Sequence, residues 1–302
     1  MASGDPPVTA HTEFDDVAAQ RLRRRLARAV QAPWLHAEVA RRMADRLPII
    51  RQPPQRWLDW WAQLGGGAQA VRTAYPKAQR TALEPDGLLR EGSATQTPPW
   101  WSRRRRRADA VLLPGEVDPA SADMVWANMM LHACADIAAQ FASWHRALAV
   151  DGFLMFSTLG PGTLPELRQL YQREGWGPPF YPFADMHDLG DALVHAGFAD
   201  PVMDQELLTL TWSTPSAALH ELRALGGNLH ASRFAGLRTP RWRDRLLQQL
   251  ERRRDADGRV ALSFEVVYGH AVRLRARARV APVTTVSLQD MRADLLRQRS
   301  LP

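Results

Sequence analysis

Residues 147–171 read ALAVDGFLMFSTLGPGTLPELRQLY, and this segment constrains the fold more than any other part of the chain. An Asp-Gly break at Asp151 precedes an apolar strand at 153–156, and a polar pair and a Gly/Pro loop follow before a new helix begins at Leu164. Helix, break, buried strand and loop in this order are typical of a parallel α/β sheet, in which ligands bind where strands end. Functional groups are therefore expected just after this strand.

Composition is that of a globular protein. The chain has 302 residues, of which 45% are hydrophobic and 24% charged, enough to bury one substantial core. Cys134 is the single cysteine and the histidines show no ligand spacing supported by a second cluster, so neither a disulfide nor a metal site is expected. The chain lacks an apolar run of about 18 residues and its start is polar, which predicts no membrane partner and a cytoplasmic location.

The positive charge has two interpretations. The net charge is +7 and comes almost entirely from arginine, because Lys77 is the only lysine. Compositional bias with solvated arginines is the simpler interpretation. Nucleic-acid binding is the minor alternative, since Trp100, Trp101 and the arginines at 103–107 offer stacking and phosphate contacts. One short run beside two aromatic residues is weak support for it.

Two amphipathic helices are predicted within residues 15–46, where apolar side chains recur at helical spacing. They meet at a break before Pro33, a residue suited to a helix start. The pair forms either a flanking layer or a lid over a ligand, with Phe14 and Asp15 at the mouth of the pocket.

Four further segments of the first half carry the sheet prediction. A short strand stops on Asp59, a Gly-rich turn and a helix follow, and a second strand ends on Glu84. Glycines allow the backbone to approach a ligand closely. A carboxylate about 25 positions after Asp59, as Glu84 is, can accept hydrogen bonds from ribose hydroxyls. This is a weak nucleotide-binding signal, and a purely structural strand–turn–helix is the alternative. Strands at 108–113 and 122–128 follow, the second ending on Asn128.

The second half predicts the edge of the sheet. A helix at 129–149 leads into the strand described first, which makes five strand candidates with helices between them and so an open, mostly parallel sheet. Segments 203–212 and 259–272 alternate as strands do and are expected to pair antiparallel at one edge.

This order of elements resembles a class I S-adenosylmethionine-dependent methyltransferase, a Rossmann-like α/β fold with helical lid insertions. The segments MVWANMMLHACAD, DGFLMFSTLGPGTLPELRQLY, ALHELRALGGNLHASR and GRVALSFEVVYGHAV, spread over residues 123–272, resemble the malonyl-acyl-carrier-protein O-methyltransferases of biotin biosynthesis. The resemblance implies S-adenosylmethionine as cofactor. It also implies an N-terminal helical lid at 1–47, a methyltransferase domain at 48–272 with insertions at about 160–185 and 214–258, and a basic tail at 273–302.

The first half departs from the family pattern Leu-Asp-x-Gly-x-Gly-x-Gly. If Asp59 aligns with the family aspartate, Trp61 and Gln63 replace the first two glycines and only Gly65 keeps its place. These bulky side chains either block the cofactor or stand in a loop rebuilt around the glycines at 65–67 that still binds it. The cofactor-binding residues implied by the resemblance are Asp59, Gly65, Gly67, Glu84 and Asn128.

The resemblance also implies the acceptor. A malonyl carboxylate is already ionised at neutral pH, so no catalytic side chain and no metal are expected, but a cation should hold the carboxylate. The implied substrate-binding residues are Arg223 and Arg233 in the lid, with Phe14, Thr158 and Tyr268 around the pocket. Exposed arginines are expected to attract an acidic acyl-carrier protein, and malonyl-CoA is the other possible carrier.

Three alternatives stay open. Relatives with the same fold modify an arginine during assembly of respiratory complex I, so another acceptor is possible. The altered glycine loop also allows a pseudo-enzyme, or an assembly factor that acts as a protein-binding module. Alternatively, Arg223 and Arg233 are only surface charges.

Overall fold

The computed structural model of this chain describes residues 13–29, 31–50, 52–95 and 110–275. Trp100, Trp101, the arginine run at 103–107 and the tail from residue 276 lie outside the described residues. The predictions made for them therefore stay predictions.

The described residues form a sheet of seven strands in the order β3-β2-β1-β4-β5-β7-β6. Strands β1 to β5 pair in parallel, whereas β7 is antiparallel to both β5 and β6. This confirms the predicted mostly parallel sheet with an antiparallel edge. The strands are β1 (Arg56–Trp60), β2 (Gln79–Leu83), β3 (Ala110–Leu112), β4 (Ala122–Ala127), β5 (Leu148–Leu159), β6 (Ala199–Trp212) and β7 (Val260–Val272).

Helices surround the sheet, and the sequence marks most of their starts. Proline opens several of them, and an Asp or Thr side chain caps the first turn of several by accepting a backbone N–H. The helices are α1 (Asp16–Leu26), α2 (Trp34–Ala44), α3 (Ala62–Gly65), α4 (Ala68–Ala74), α5 (Gly87–Thr95), α6 (Ile137–Ala147), α7 (Pro165–Glu174), α8 (Met186–His195), α9 (Pro215–Leu225) and α10 (Pro240–Glu251). The predicted break before Pro33 separates α1 from α2.

Two predicted boundaries were wrong. The helix expected at 129–149 spans only α6, because Met129 has a left-handed backbone (φ 51°) and the side chain of Asp136 caps a new start by accepting from Ala139 N at 2.8 Å. The strand expected at 153–156 is the longer β5. Asp151 does mark an irregularity inside it, since its φ is 66°.

The core lies on both faces of the sheet because successive side chains of a strand point to opposite sides. On β4, Met124 and Trp126 belong to one buried cluster, and Val125 and Ala127 to the other. Helix α2 packs into the first cluster through residues such as Val39. Helix α2 is therefore part of the core and not only a layer over it. The predicted domain boundaries stay predictions.

Within the described ranges, the chain contains no helix with the length and apolar character needed to cross a bilayer. The cytoplasmic location stays a prediction.

Candidate cofactor and substrate site

A cavity of about 540 Å³ opens at the carboxyl ends of β1 and β4. Its floor includes Trp61 and Leu64 from the segment after β1, and Met129 and His132 from the segment after β4. Its roof comes from α1 and from α9 and the loop that follows it. The cavity therefore lies where ligands bind in open α/β sheets. The residues Leu22, Leu26, Leu222, Leu225 and Leu229 make this roof largely apolar.

Asp59 is fully buried in β1 and forms an ion pair with Arg80 of the neighbouring strand β2. Arg80 donates from Nε at 2.8 Å, and the second guanidinium nitrogen lies 2.7 Å from the same carboxylate oxygen. Pairing of a buried carboxylate with a guanidinium offsets the cost of removing both from water. This contact gives Asp59 a structural role, and its predicted contact with the cofactor stays a prediction.

Glu84 has one occupied and one free carboxylate oxygen. Its Oε1 accepts hydrogen bonds from Gln63 N at 2.8 Å and from Ser93 Oγ at 2.5 Å. Its Oε2 is buried and has no partner among the described residues. Burial raises the pKa of Glu84 to about 7, although the two hydrogen bonds oppose this rise. An unpartnered buried acceptor at the end of β2 is what a ribose hydroxyl requires.

The loop after β1 begins with a residue in the left-handed region of the backbone map. Trp61 adopts the left-handed conformation (φ 57°, ψ 53°) that glycine reaches without strain. Its N–H donates to Leu83 O at 2.7 Å, and its carbonyl accepts from Gly65 N at 2.8 Å, so both sides of this residue are held. The indole of Trp61 borders the cavity without filling it, whereas Trp60 packs against Trp144 in the core with ring centroids 5.9 Å apart.

Gln63, predicted to stand at the second family glycine, ties the loop after β1 to the segment that follows helix α1. Its side-chain amide donates to Ala29 O at 3.0 Å, just after α1. Its backbone N–H holds Glu84, so the loop orients the carboxylate expected to bind ribose.

Close packing explains why residues 65 and 67 are glycines. A Cβ on Gly65 would lie 3.3 Å from Asn128 O, and a Cβ on Gly67 would lie 2.3 Å from Trp126 Nε1. Both glycines therefore let the loop after β1 pack closely on β4. Their contact with the cofactor stays a prediction.

Asn128 is saturated by protein contacts. Its side-chain amide donates to His36 O at 2.7 Å and to Gly65 O at 2.5 Å, and its Oδ1 accepts from Ser157 Oγ at 2.7 Å. It thus joins α2, the loop after β1 and strand β5. Both amide protons are used, so the side chain holds the floor of the site and leaves no donor for a ligand.

Arg223 is the predicted substrate residue that lies in the cavity wall. Arg25 carries no signal in the sequence, but its guanidinium donates to Arg223 O at 2.8 Å and Gly226 O at 2.5 Å and so holds the end of α9. Burial, and then repulsion from Arg223, lowers the pKa of Arg25. Arg25 does not itself line the cavity, but it holds Arg223 in the wall of an apolar cavity, where a guanidinium favours an anionic ligand.

Four other predicted substrate residues lie outside the wall of this cavity. Arg233 pairs with Asp15, and Phe14 contacts Tyr181 edge to face and borders a smaller cavity of about 300 Å³. Tyr268 donates to Glu206 Oε2 at 3.2 Å. Thr158 is buried next to Leu159, which does line the cavity from the opposite face of β5. Their predicted contacts with substrate stay predictions.

His36 and His132 also line the cavity, and the sequence analysis did not select them. Their separation in sequence carries no ligand spacing, so only the fold brings them together. Among the described residues, no cluster of His, Cys, Asp and Glu could hold a metal ion.

The strand order, the antiparallel β7 and a cavity at the strand ends define the class as a class I methyltransferase fold. The YcgJ protein of Bacillus subtilis shares this fold with a TM-score of 0.52 at 10% identity, over 80% of this chain and 99% of the other. A candidate methyltransferase of Bacillus halodurans C-125 also gives 0.52 at 11% identity, over 77% and 99%. No family model matches the chain.

Sequence comparison gives the particular family. The chain is 42% identical over 246 residues to the malonyl-[acyl-carrier protein] O-methyltransferase of Gallionella capsiferriformans, covering 78% of this chain and 83% of the relative. The enzyme of the same name from Laribacter hongkongensis is 41% identical, with 82% and 86% covered. The chain belongs to the malonyl-[acyl-carrier protein] O-methyltransferase family. This membership confirms the predicted family, the enzyme class and S-adenosylmethionine as cofactor.

Proposed function

We propose that this chain transfers the methyl group of S-adenosylmethionine to the free carboxylate of malonyl-acyl-carrier protein, a step of biotin biosynthesis. The observation that carries the proposal is the cavity at the strand ends, with Arg223 in its roof. Glu84, with its unpartnered Oε2, does not itself line the cavity but accepts from Gln63 N, between the lining residues Trp61 and Leu64. Family membership supports methyl transfer as the reaction, and the cavity supports a binding site for the two reactants.

The cofactor fits the residues present. Glu84 would accept a ribose hydroxyl through Oε2, and the loop after β1 with Trp61 and Leu64 would border the methionine part. S-adenosylmethionine supplies an electrophilic methyl group on a sulfonium. Trp61 leaves the cavity open, so nothing here favours the pseudo-enzyme alternative.

Arg223 is the residue we assign to the malonyl carboxylate. Within the described part of the chain its guanidinium has no carboxylate partner, whereas a malonyl carboxylate offers two oxygens for a bidentate contact. The carboxylate is ionised at neutral pH and needs neither a general base nor a metal. Positioning it in line with the methyl group is worth roughly 7–11 kcal/mol in favourable intramolecular cases.

The apolar walls assist by excluding water from the carboxylate. Leu159, Leu164, Phe180 and Phe264 line the cavity together with the leucines of its roof. Removal of water strengthens the contact between guanidinium and carboxylate and favours attack on the methyl group.

The carrier protein is the proposed partner. Arg241 and Arg243 are exposed on α10, and Arg243 also lines the cavity. An acidic carrier that docks against these arginines would place its malonyl arm at the cavity mouth.

The test combines a binding and a transfer measurement. Calorimetry with S-adenosylhomocysteine should show binding to the parent chain and a loss for Glu84→Ala. Mass spectrometry should show one added methyl group on malonyl-acyl-carrier protein and none on acetyl-acyl-carrier protein, which lacks the carboxylate. Arg223→Gln should raise the KM for the malonyl carrier at least tenfold while binding S-adenosylhomocysteine normally.

Arg173→Gln is the matched control, because Arg173 is exposed on α7 and does not line the cavity. A parent chain that binds S-adenosylhomocysteine yet leaves the malonyl carrier unmethylated would contradict the proposed acceptor. Absence of binding would contradict the whole proposal. Restored growth of a biotin-requiring strain that lacks this methyltransferase would support it, if Glu84→Ala fails to restore growth and Arg173→Gln restores it.

A further inference from the structure

Two imidazole nitrogens of the main cavity lack a protein partner. His36 is 4% exposed, and its Nε2 is buried without a hydrogen bond among the described residues. The same holds for Nδ1 of His132. Buried polar atoms in folded proteins are nearly always hydrogen-bonded, so two unpartnered atoms in the wall of one cavity need a ligand or ordered water.

The orientation of His36 defines what its free nitrogen can bind. Its Nδ1 lies 2.7 Å from the carbonyl oxygen of Leu64, and because a carbonyl only accepts, the proton is on Nδ1. Nε2 of the neutral ring is then an acceptor. The backbone carbonyl of His36 accepts from Asn128, so this residue is fixed at both its side chain and its backbone.

His132 lies near His36 in the wall of the same cavity. Its ring centroid lies 6.5 Å from that of His36 and 6.0 Å from that of Phe183. Burial lowers the pKa of His36 to about 4, and burial together with His36 lowers the pKa of His132 to about 3. Both rings are neutral at physiological pH, so each has one acceptor nitrogen and the pair adds no charge; in His132 the acceptor is Nδ1 when Nε2 carries the proton.

We propose that His36 and His132 form a subsite for the α-ammonium group of the cofactor's methionine part. The inference rests on the proposed function. Of the polar groups on S-adenosylmethionine, the carboxylate only accepts, the ribose hydroxyls are assigned to Glu84, and the amino group of adenine lies at the opposite end of the ligand from the methionine part. The ammonium group carries three N–H donors.

The geometry suits a bridging ammonium. Two hydrogen bonds of about 2.9 Å from one tetrahedral ammonium group would join acceptors roughly 4.7 Å apart. Two rings with centroids 6.5 Å apart can offer nitrogens at that separation from their facing edges. His36 also contacts Leu64 in the loop after β1, on the part of the floor assigned to the methionine moiety. The subsite therefore lies beside the loop that contains Trp61 and Gln63.

The test compares two ligands that differ in the amino-acid part. S-adenosylhomocysteine carries it, whereas 5′-methylthioadenosine keeps the adenosine and thioether but lacks both the ammonium and the carboxylate, and the carboxylate cannot donate to an acceptor nitrogen. In calorimetry, His36→Leu and His132→Leu should each weaken binding of S-adenosylhomocysteine at least tenfold and change binding of 5′-methylthioadenosine by less than twofold. His36→Gln should recover most of the affinity, because its amide oxygen is again an acceptor.

His132→Leu keeps the test decisive if His36→Leu does not fold, since His132 is only partly buried. Equal losses for both ligands, or unchanged binding of S-adenosylhomocysteine, would overturn the subsite and leave ordered water as the partner of these nitrogens. A parent chain that binds both ligands equally tightly would overturn it too, while leaving the proposed methyl transfer intact. A parent chain that binds neither ligand would overturn both proposals.

Discussion

Arg233 donates a hydrogen bond to the carboxylate of Asp15, which joins residues separated by 218 positions in the sequence. Backbone contacts support the pair: Asp15 N donates to Leu229 O at 2.8 Å, and Ala231 N donates to Glu13 O at 2.7 Å. The segment before α1 and the loop after α9 therefore form one continuous roof over the cavity.

The first prediction separates a structural tie from a substrate contact. Asp15→Asn keeps the cap on α1, because an amide oxygen can still accept from Ala18 N, and removes only the charge paired with Arg233. Asp15→Asn and Arg233→Met should each raise the KM for malonyl-acyl-carrier protein by roughly two- to fivefold, as expected of a partly buried ion pair.

The double variant should be no worse than either single variant, because both remove the same contact. Steady-state kinetics on the four proteins measures this. A further rise when Arg233→Met is added to Asp15→Asn would show instead that Arg233 contacts the substrate itself, as the sequence analysis predicted.

The sheet was predictable because its signals are local. Apolar runs that end on Asp59, Glu84 and Asn128 predicted strands of a mostly parallel sheet, and alternation in the last two strands predicted the antiparallel edge, whereas the order of the strands in the sheet came only from the fold. The site was less predictable, because contacts such as Arg25 with the carbonyl of Arg223 depend on the fold.

Tyr268 shows why position within a strand limits such predictions. It shares a face of β7 with Phe264, which lines the cavity, but lies four residues further along, or about 13 Å at 3.3 Å per residue. It pairs in register with Ser157 and donates to Glu206, while Arg46 lies 3.9 Å from its ring centroid. The sequence indicated an aromatic residue on this strand but not how far along the strand from the cavity it would lie.

The second prediction concerns the pH dependence of stability at Glu84. Burial raises its pKa from 4.5 to about 7, so the folded chain binds this proton more tightly than the unfolded chain. The free energy of unfolding therefore falls as pH rises through this window. A displacement of this size corresponds to roughly 3 kcal/mol.

Glu84→Gln removes the buried charge, so it should stabilise the fold by up to about 3 kcal/mol near pH 8 and by little near pH 5. Urea denaturation of parent and variant at both pH values measures the difference. Equal effects at the two pH values would contradict the assignment. The same variant should bind S-adenosylhomocysteine more weakly, because a neutral amide is a poorer acceptor for ribose hydroxyls.

The third prediction tests the left-handed backbone of Trp61. Trp61→Ala and Trp61→Gly lose the same indole, but only glycine reaches φ 57° without strain. The glycine variant should therefore be about 1 kcal/mol more stable than the alanine variant, the reverse of the usual order in helices. Ala62→Gly is the control in α3, where glycine should destabilise by about 1 kcal/mol. Urea denaturation would contradict the prediction if Trp61→Ala proved the more stable.

The fourth prediction concerns the clamp formed by Asn128. Aspartate has the same shape but lacks the two N–H donors, so Asn128→Asp leaves the carbonyls of His36 and Gly65 unpaired beside a carboxylate. Each buried carbonyl that loses its donor costs about 1–3 kcal/mol, and we expect a total loss of at least about 3 kcal/mol near pH 7.

Lower pH should partly rescue Asn128→Asp, because a protonated carboxyl regains one donor, whereas Asn128→Ala should show no such recovery. Ser157→Ala is the milder control, since it removes a single hydroxyl that donates to Oδ1 and accepts from Met129 N. Urea denaturation near pH 7 and pH 5 distinguishes the variants, and parallel pH profiles for aspartate and alanine would contradict the clamp. Because the clamp also fixes His36, Asn128→Asp should lose affinity for S-adenosylhomocysteine more than for 5′-methylthioadenosine, which connects the stability of the floor with recognition of the ammonium group.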